Sequence, residues 1–237
     1  QKEFMWDGAT HHIEAQALAP LHDPKEMGSN IKALLSKLRA SDFYRKAFYD
    51  TYKDTIINSN RTLKALAAFE LSLVSFESKY DAVKTDNAEF STQEKAGYKL
   101  FKQNCNKCHT EPLFTNGKYM DNNLPIDSSL DDKGRFLVTK QKEDRYKFKV
   151  PSLRNLSYTY PYMHDGRFTT LNHVLQHYSS NQNIKNKGKA DLEKAIHLSF
   201  NERADLISFL LTLNDKNFVF NPAYSFPKKL KDYLIQE

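Results

Sequence analysis

Two thiols and an imidazole stand together at Cys105-Asn106-Lys107-Cys108-His109. Thiols separated by two residues can each add to one vinyl group of a single porphyrin. The histidine that follows is then held under the iron, so C-x-x-C-H is the attachment pattern of a c-type haem. These are the only cysteines in 237 residues, so neither has another disulfide partner. Two other chemistries use paired cysteines. A zinc site needs further soft ligands at short spacing, and none follow. A thioredoxin-like redox pair sits in a βαβ context, whereas this pair ends a helical pattern. The residues favour haem over both.

A six-coordinate haem needs a second ligand, and Met120, Met163, His164, His173, His177 and Tyr178 follow the motif. Thr169 to Tyr178 reads as a helix, with Leu171, Val174, Leu175 and Tyr178 at i, i+3, i+4 and i+7 on one apolar face. That face must pack on something greasy, and a porphyrin would serve. His173 and His177 fall off the stripe and are expected to be exposed. On spacing alone Tyr178 reads as a core tyrosine with a satisfied hydroxyl. Met163, a thioether in a Pro-Tyr-Met-His-Asp-Gly turn, is the rival ligand on chemistry alone.

The elements that must position these groups are mostly helical. Ser91-Thr92-Gln93-Glu94 is a capping box, opening a helix that should run to about Phe101 and deliver Cys105 in the turn beyond. Gly97 within it costs ~1 kcal/mol relative to alanine. Either a second helix approaches closely there, or an exposed glycine is simply tolerated. The partner would be the apolar helix after Asn201, carrying Leu206, Phe209, Leu210 and Leu213. Upstream, Ile31 to Phe76 turns helical: Leu34, Leu35 and Leu38 share a face, and Phe43, Ala47 and Phe48 follow a Ser41-Asp42 cap signal. Leu66, Phe69, Leu73 and Phe76 recur at helical steps. Asp81 to Glu89 reads as a linker. Residues 1–30 form a turn-rich segment with a short helix over His12 to Leu18. Glu111 to Tyr162 is loop-rich, and residues 217–237 form a tail with a short Leu230-Tyr233-Leu234 face.

Hydrophobic residues make up 40% and aromatics 13%, enough to line a cofactor pocket and to exclude disorder. No apolar run approaches the ~20 residues that span a bilayer. The formal charge of +6 comes from scattered lysines, which favours a solvated surface over a steering patch. No arginine-rich face or nucleic-acid motif appears, so nucleic acid is not expected as a partner. No signal peptide is visible, yet covalent haem attachment implies assembly outside the cytoplasm. A periplasmic location and a processed form or fragment are therefore expected.

Together these segments resemble the bacterial di-haem cytochrome c peroxidase family, including its MauG-like branch. The resemblance runs through Phe4–Glu26, Ala67–Tyr80, Gly97–Thr115, Asp132–Thr139, Phe148–Asn155 and Thr159–Tyr178. Its most specific runs are Phe148-Lys149-Val150-Pro151-Ser152-Leu153-Arg154-Asn155 and Pro161-Tyr162-Met163-His164-Asp165-Gly166. It implies a mainly α fold of two c-type haem domains. Residues 1–88 would be the remainder of the N-terminal, peroxidatic haem domain, 89–216 the C-terminal cytochrome c domain, and 217–237 a tail packing back on the first. It implies that Cys105, Cys108 and His109 hold the electron-entry haem c and that Tyr178 is its distal ligand, where peroxidases of the family place methionine and the MauG-like branch tyrosine. An anionic tyrosinate favours ferric iron and a low potential. Trp6 matches an inter-haem tryptophan, an electron relay. Gln16 and Glu26 match distal residues that handle peroxide at the first haem, where a carboxylate can move a proton between the peroxide oxygens. Thr159 and Pro161 match carbonyl ligands of calcium.

Two departures stand out. The first haem's C-x-x-C-H is absent, so a truncated or proteolysed portion of a longer protein is expected. Ala9 also stands where the family commonly has arginine after Trp-Asp-Gly. The expected activity is reduction of hydrogen peroxide with electrons from a small donor protein, a cytochrome c or a cupredoxin, and a homodimer is compatible with it. A MauG-like oxidation of a protein residue and a non-catalytic mono-haem carrier are the alternatives.

Overall fold

The computed structural model describes residues 2–180 and 195–226, and these are mainly helical. The tail face Leu230-Tyr233-Leu234 lies outside the described residues. The chain divides into two compact units, one of Met5–Ala9 with Ser75–Val219, the other of Lys2–Phe4, Thr10–Val74 and the chain from Phe220.

The second unit holds α1 (Ile13–Gln16), α2 (Leu18–His22), α3 (Ile31–Ala40), α4 (Asp42–Tyr52) and α5 (Ser59–Ser72). Asparagine side chains start two of them: Asn30 accepts from the Ala33 N–H at 2.9 Å and Asn58 from the Arg61 N–H at 3.0 Å. Ser41 stands at the start of α4 but makes no side-chain cap bond. Leu21, Phe48, Ile57 and Ala67 form the buried interior. The apolar repeat overruns its helix: α5 stops at Ser72, so Leu73 and Phe76 lie beyond it, and Leu66 and Phe69 remain exposed.

The first unit carries α6 (Lys79–Lys84), α7 (Thr92–Asn104), α8 (Phe136–Thr139), α9 (Leu171–Ser179), α10 (Phe200–Leu211) and α11 (Lys216–Val219). A two-strand ladder pairs β1 (Tyr119–Met120) antiparallel with β2 (Phe148–Lys149). The presumed linker 81–89 is corrected here. Its first residues belong to α6, which a Ser78/Asp81 capping box starts and whose Tyr80 is buried in the core. Six residues are too few to display a period, so the sequence pattern gave no sign of this helix.

Both long helices open with the expected devices. Ser91 and Glu94 cap α7, and Ser199 and Glu202 cap α10 in the same reciprocal way. They cross at Gly97, where an added Cβ would collide with the Asp205 carbonyl and come within 2.9 Å of the Phe209 Cβ. The glycine is therefore there for close approach. Around the crossing Phe101, Phe114, Leu206, Phe209 and Leu213 are wholly buried. The Phe101 and Phe209 rings sit 5.1 Å apart, and Tyr80 and Phe114 meet edge to face at 4.8 Å. This aromatic core fixes the end of α7, and with it Cys105.

Candidate haem-binding site

Cys105 is the C-cap of α7, its N–H bonded to the Phe101 carbonyl at 2.8 Å. One tight turn follows: the Cys108 and His109 N–H groups both donate to the Cys105 carbonyl, at 3.1 and 2.9 Å. Neither thiol is in a disulfide, and both are half-buried. Burial, reinforced by the neighbouring Cys108, pushes the Cys105 thiol up to about 12.

The imidazole of His109 is fixed by backbone. Its Nδ1 lies 3.2 Å from the Phe114 carbonyl and 3.0 Å from that of Pro151. Two acceptors place the proton on Nδ1, which leaves the Nε2 lone pair for a metal. Burial lowers the histidine's proton affinity, against the pull of those two carbonyls. It is thereby kept in the neutral form that ligates.

The run 148–155 now has a physical purpose, because it clamps the loop that carries this histidine. Thr115 Oγ1 donates to the Val150 carbonyl at 2.5 Å, and Ser152 Oγ to the Leu113 carbonyl at 2.6 Å. Arg154 donates to the Pro112 carbonyl at 3.0 Å and forks onto Asp81 at 2.7 and 2.8 Å. Asn155, in the left-handed region at φ 63°, donates to Ser75 and accepts from the Asp215 N–H at 2.7 Å. Asp215 is itself buried and accepts from the Glu77 and Phe218 N–H groups.

The helix α9 carries Tyr178. Burial pushes its phenol above the ordinary value; Asn122 pulls it down, and the two cysteines lie close enough to push it further up. Tyr178 thus lies within electrostatic reach of Cys105 and Cys108. Met163, with φ 72°, and the Tyr178 hydroxyl both lie 3.5 Å from the Asn122 amide nitrogen. His164 is stacked on Phe148 at 3.6 Å, and His173 is exposed. The expectation for His177 is corrected: it is 7% exposed, and its Nε2 donates to the Asn122 carbonyl at 3.0 Å. A backbone acceptor in a distant loop satisfies it, which no helical stripe could reveal.

These groups fit a c-type haem. Two thiols stand at the spacing for two thioethers, a histidine has its outer nitrogen already satisfied, and the half-buried Tyr178 offers an oxygen.

The remaining candidates lie elsewhere. Trp6 is 46% exposed; its carbonyl accepts from the Lys149 N–H at 2.8 Å. The Arg135 guanidinium reaches the carbonyls of Asp7 and Gly8 at 3.0 and 3.2 Å and lies over the Tyr119 ring. An arginine distant in sequence thus supports the Trp-Asp-Gly turn that Ala9 follows. Gln16 closes α1, half-buried, and Glu26 lies exposed in the turn after α2. Thr159 and Pro161 are exposed around a cis Tyr160–Pro161 peptide. Among the described residues no group of three or more His, Cys, Asp or Glu gathers to hold a metal ion. Calcium would have only those two carbonyls from the matched positions, which is too few for its usual six to eight oxygens. Asn122 was not among the expected site residues; an asparagine in a polar loop carries no distinguishing pattern.

Comparison with known proteins gives the family. Residues 1–89 match the family model described as di-haem cytochrome c peroxidase, and residues 94–214 match that of cytochrome c. The chain is 34% identical to the methylamine utilization protein MauG of Methylophilus methylotrophus, over 89% of this chain and 64% of that protein. It is 32% identical to the cytochrome c551 peroxidase of Nitrosomonas europaea, over 88% and 60%. The chain thus spans somewhat under two thirds of these relatives' length. A crystal structure of a MauG-like protein associated with microbial copper homeostasis superposes with a TM-score of 0.81 at 27% identity, over 95% of this chain and 75% of that one. With its cytochrome c fold built around Cys105, Cys108 and His109, the chain belongs to the di-haem cytochrome c peroxidase and MauG family of oxidoreductases.

Proposed function

We propose that this chain carries the electron-entry haem c of a periplasmic, peroxidase-like oxidoreductase that reduces hydrogen peroxide to water with electrons from a small donor protein, a cytochrome c or cupredoxin. The balance is one peroxide, two electrons and two protons to two waters. The observation that carries the reading is the pairing of the C-x-x-C-H thiols with a histidine whose Nδ1 proton is locked on two carbonyls. When bound, the haem supplies a one-electron iron centre. Cys105 and Cys108 tether it, His109 supplies a neutral nitrogen, and Tyr178 supplies an oxygen. Trp6 is assigned to electron relay. Gln16 and Glu26 are assigned to binding peroxide and moving its proton at a first haem.

Tyr178 favours a second reading, MauG-like oxidation of a protein residue, because an oxygen ligand suits a low-potential iron poorly matched to a high-potential electron store. A mono-haem carrier is the non-catalytic alternative. Steady-state peroxide turnover with a reduced cytochrome c or cupredoxin separates the three. Turnover supports the first, a long-lived oxidised state without turnover the second, and neither the third. A colourless protein with both thiols titratable would defeat all of them.

A further inference from the structure

The loop from Asp121 to Leu124 lies beside α9 and is largely buried, with Asp121, Asn123 and Leu124 each under a tenth exposed. Asn122 makes four contacts there. Its carbonyl accepts from His177 Nε2 at 3.0 Å, and its Oδ1 accepts from the Leu124 N–H at 3.3 Å. Its Nδ2 lies 3.5 Å from the Tyr178 hydroxyl and 3.5 Å from Met163 Sδ. The orientation of the amide follows from the second of these contacts. A backbone N–H occupies the oxygen end, so the NH₂ end is the one that faces the phenol and the thioether. His177, the residue before Tyr178 on α9, holds the main chain of the same asparagine. The residue is thus held through its main-chain carbonyl and its side-chain oxygen, with the donor end of its amide facing Tyr178 and Met163, the rival second ligands in the residue chemistry.

We propose that Asn122 is a positioning residue for Tyr178: its amide N–H donates to the phenolic oxygen, favouring that oxygen over Met163 as the iron's ligand and moderating its donation to the metal. The inference rests on the proposed role of Tyr178. Its chemistry is simple. A metal-bound phenolate keeps a lone pair that can accept one hydrogen bond, and charge drawn into that bond is withdrawn from the metal, as outer partners of ligands generally do. A thioether gains far less from an N–H donor, being a weak acceptor. The donor therefore stabilises one candidate selectively.

The test uses the haem-loaded full chain and two substitutions. Asn122→Asp keeps the side-chain oxygen for the Leu124 N–H and the carbonyl for His177, but replaces the donor with an acceptor. Asn122→Leu removes the side-chain polar atoms at similar volume. Resonance Raman reads tyrosinate ligation, and a redox titration reads the midpoint potential. The expected result for Asn122→Leu is a tenfold greater preference for ferric over ferrous iron, which for one electron lowers the potential by about 59 mV. For Asn122→Asp, the carboxylate beside the phenolate lowers the tyrosinate-ligated fraction about tenfold, and the charge-transfer band of methionine ligation grows in. If Asn122 only holds its turn, Asn122→Asp leaves both the tyrosinate modes and the potential at wild-type values, and the proposal is overturned. That variant decides the matter even where Asn122→Leu fails to load haem. A wild-type spectrum without tyrosinate modes, unchanged by Tyr178→Phe, would instead remove the ligand assignment and this inference with it.

Discussion

Replacing Gly97 by alanine tests the helix crossing that sets the haem motif. The new methyl would fall on the Asp205 carbonyl, with the carbonyl carbon at 2.6 Å and the Phe209 Cβ at 2.9 Å. Ordinary carbon contacts begin near 3.5 Å, so α7 and α10 must part by about 1 Å. The obstacle is main chain, which no rotamer change relieves. Parting the helices also opens the contacts of Phe209 with Phe101 and Tyr98, whose ring centroids lie 5.1 and 5.0 Å from its own. Overpacking of this kind costs about 3 kcal/mol at the upper end of its usual range. Alanine returns about 1 kcal/mol of helix propensity. The net loss is about 2 kcal/mol, a fall in Tm of roughly 4–8 °C for a chain of this size. Thermal unfolding followed by far-UV circular dichroism measures it, with Lys99→Ala on the exposed side of α7 as the control. A Gly97→Ala protein that melts at or above wild type would refute the close-approach explanation, since a merely tolerated glycine should gain stability on replacement.

Arg154→Leu should cost roughly 3 kcal/mol in urea unfolding, because it strands the partly buried Asp81 carboxylate and frees the Pro112 carbonyl. A loss no larger than that of an exposed ion pair, under about 1 kcal/mol, would show that the clamp on the His109 loop is not tight. Acid should weaken the fold. Burial raises the proton affinity of Asp81, Glu111 and Asp215, yet hydrogen bonds outweigh it and hold all three below their ordinary values: Arg154 and Ser78 on Asp81, Lys102 with Tyr80 and Tyr98 on Glu111, the Glu77 and Phe218 N–H groups on Asp215. Depressed carboxylates contribute stability that is complete above the unfolded values near 4 and is lost as pH falls through the lower folded values. Urea midpoints should therefore be flat from pH 7 to about 5 and drop below about 4. A midpoint that rises on acidification would contradict the assignment.

Much of the site was legible in the sequence because its chemistry is local. Cys105, Cys108 and His109 lie within one turn, and the Ser91/Glu94 box that starts the preceding helix is complete within four residues. Gly97 left close approach and simple tolerance both open, because the deciding contact is the Asp205 carbonyl, more than a hundred residues away. What failed to show was set by tertiary acceptors or by short elements. His177 is polar on a helix face that periodicity assigns to solvent, and the Asn122 carbonyl that satisfies it is 55 residues away. Tyr80 is one buried ring in a six-residue helix. The run 148–155 was recognisable by resemblance, but its work, bonding the carbonyls of Pro112 and Leu113 and supplying those of Val150 and Pro151, is invisible in residue types because half of each bond is backbone.

The two carbonyls beside the His109 Nδ1 bear on electronic asymmetry. A carboxylate in that place could draw the proton away and leave an imidazolate, a strong push on bound iron. Amide oxygens are too weakly basic for that, so the imidazole stays neutral whatever happens opposite. Any large adjustment of the centre's redox character must then come from the residues around Asn122, Met163 and Tyr178. Variation among relatives that retune this haem should concentrate on that wall, leaving the histidine's side nearly invariant in its electronics.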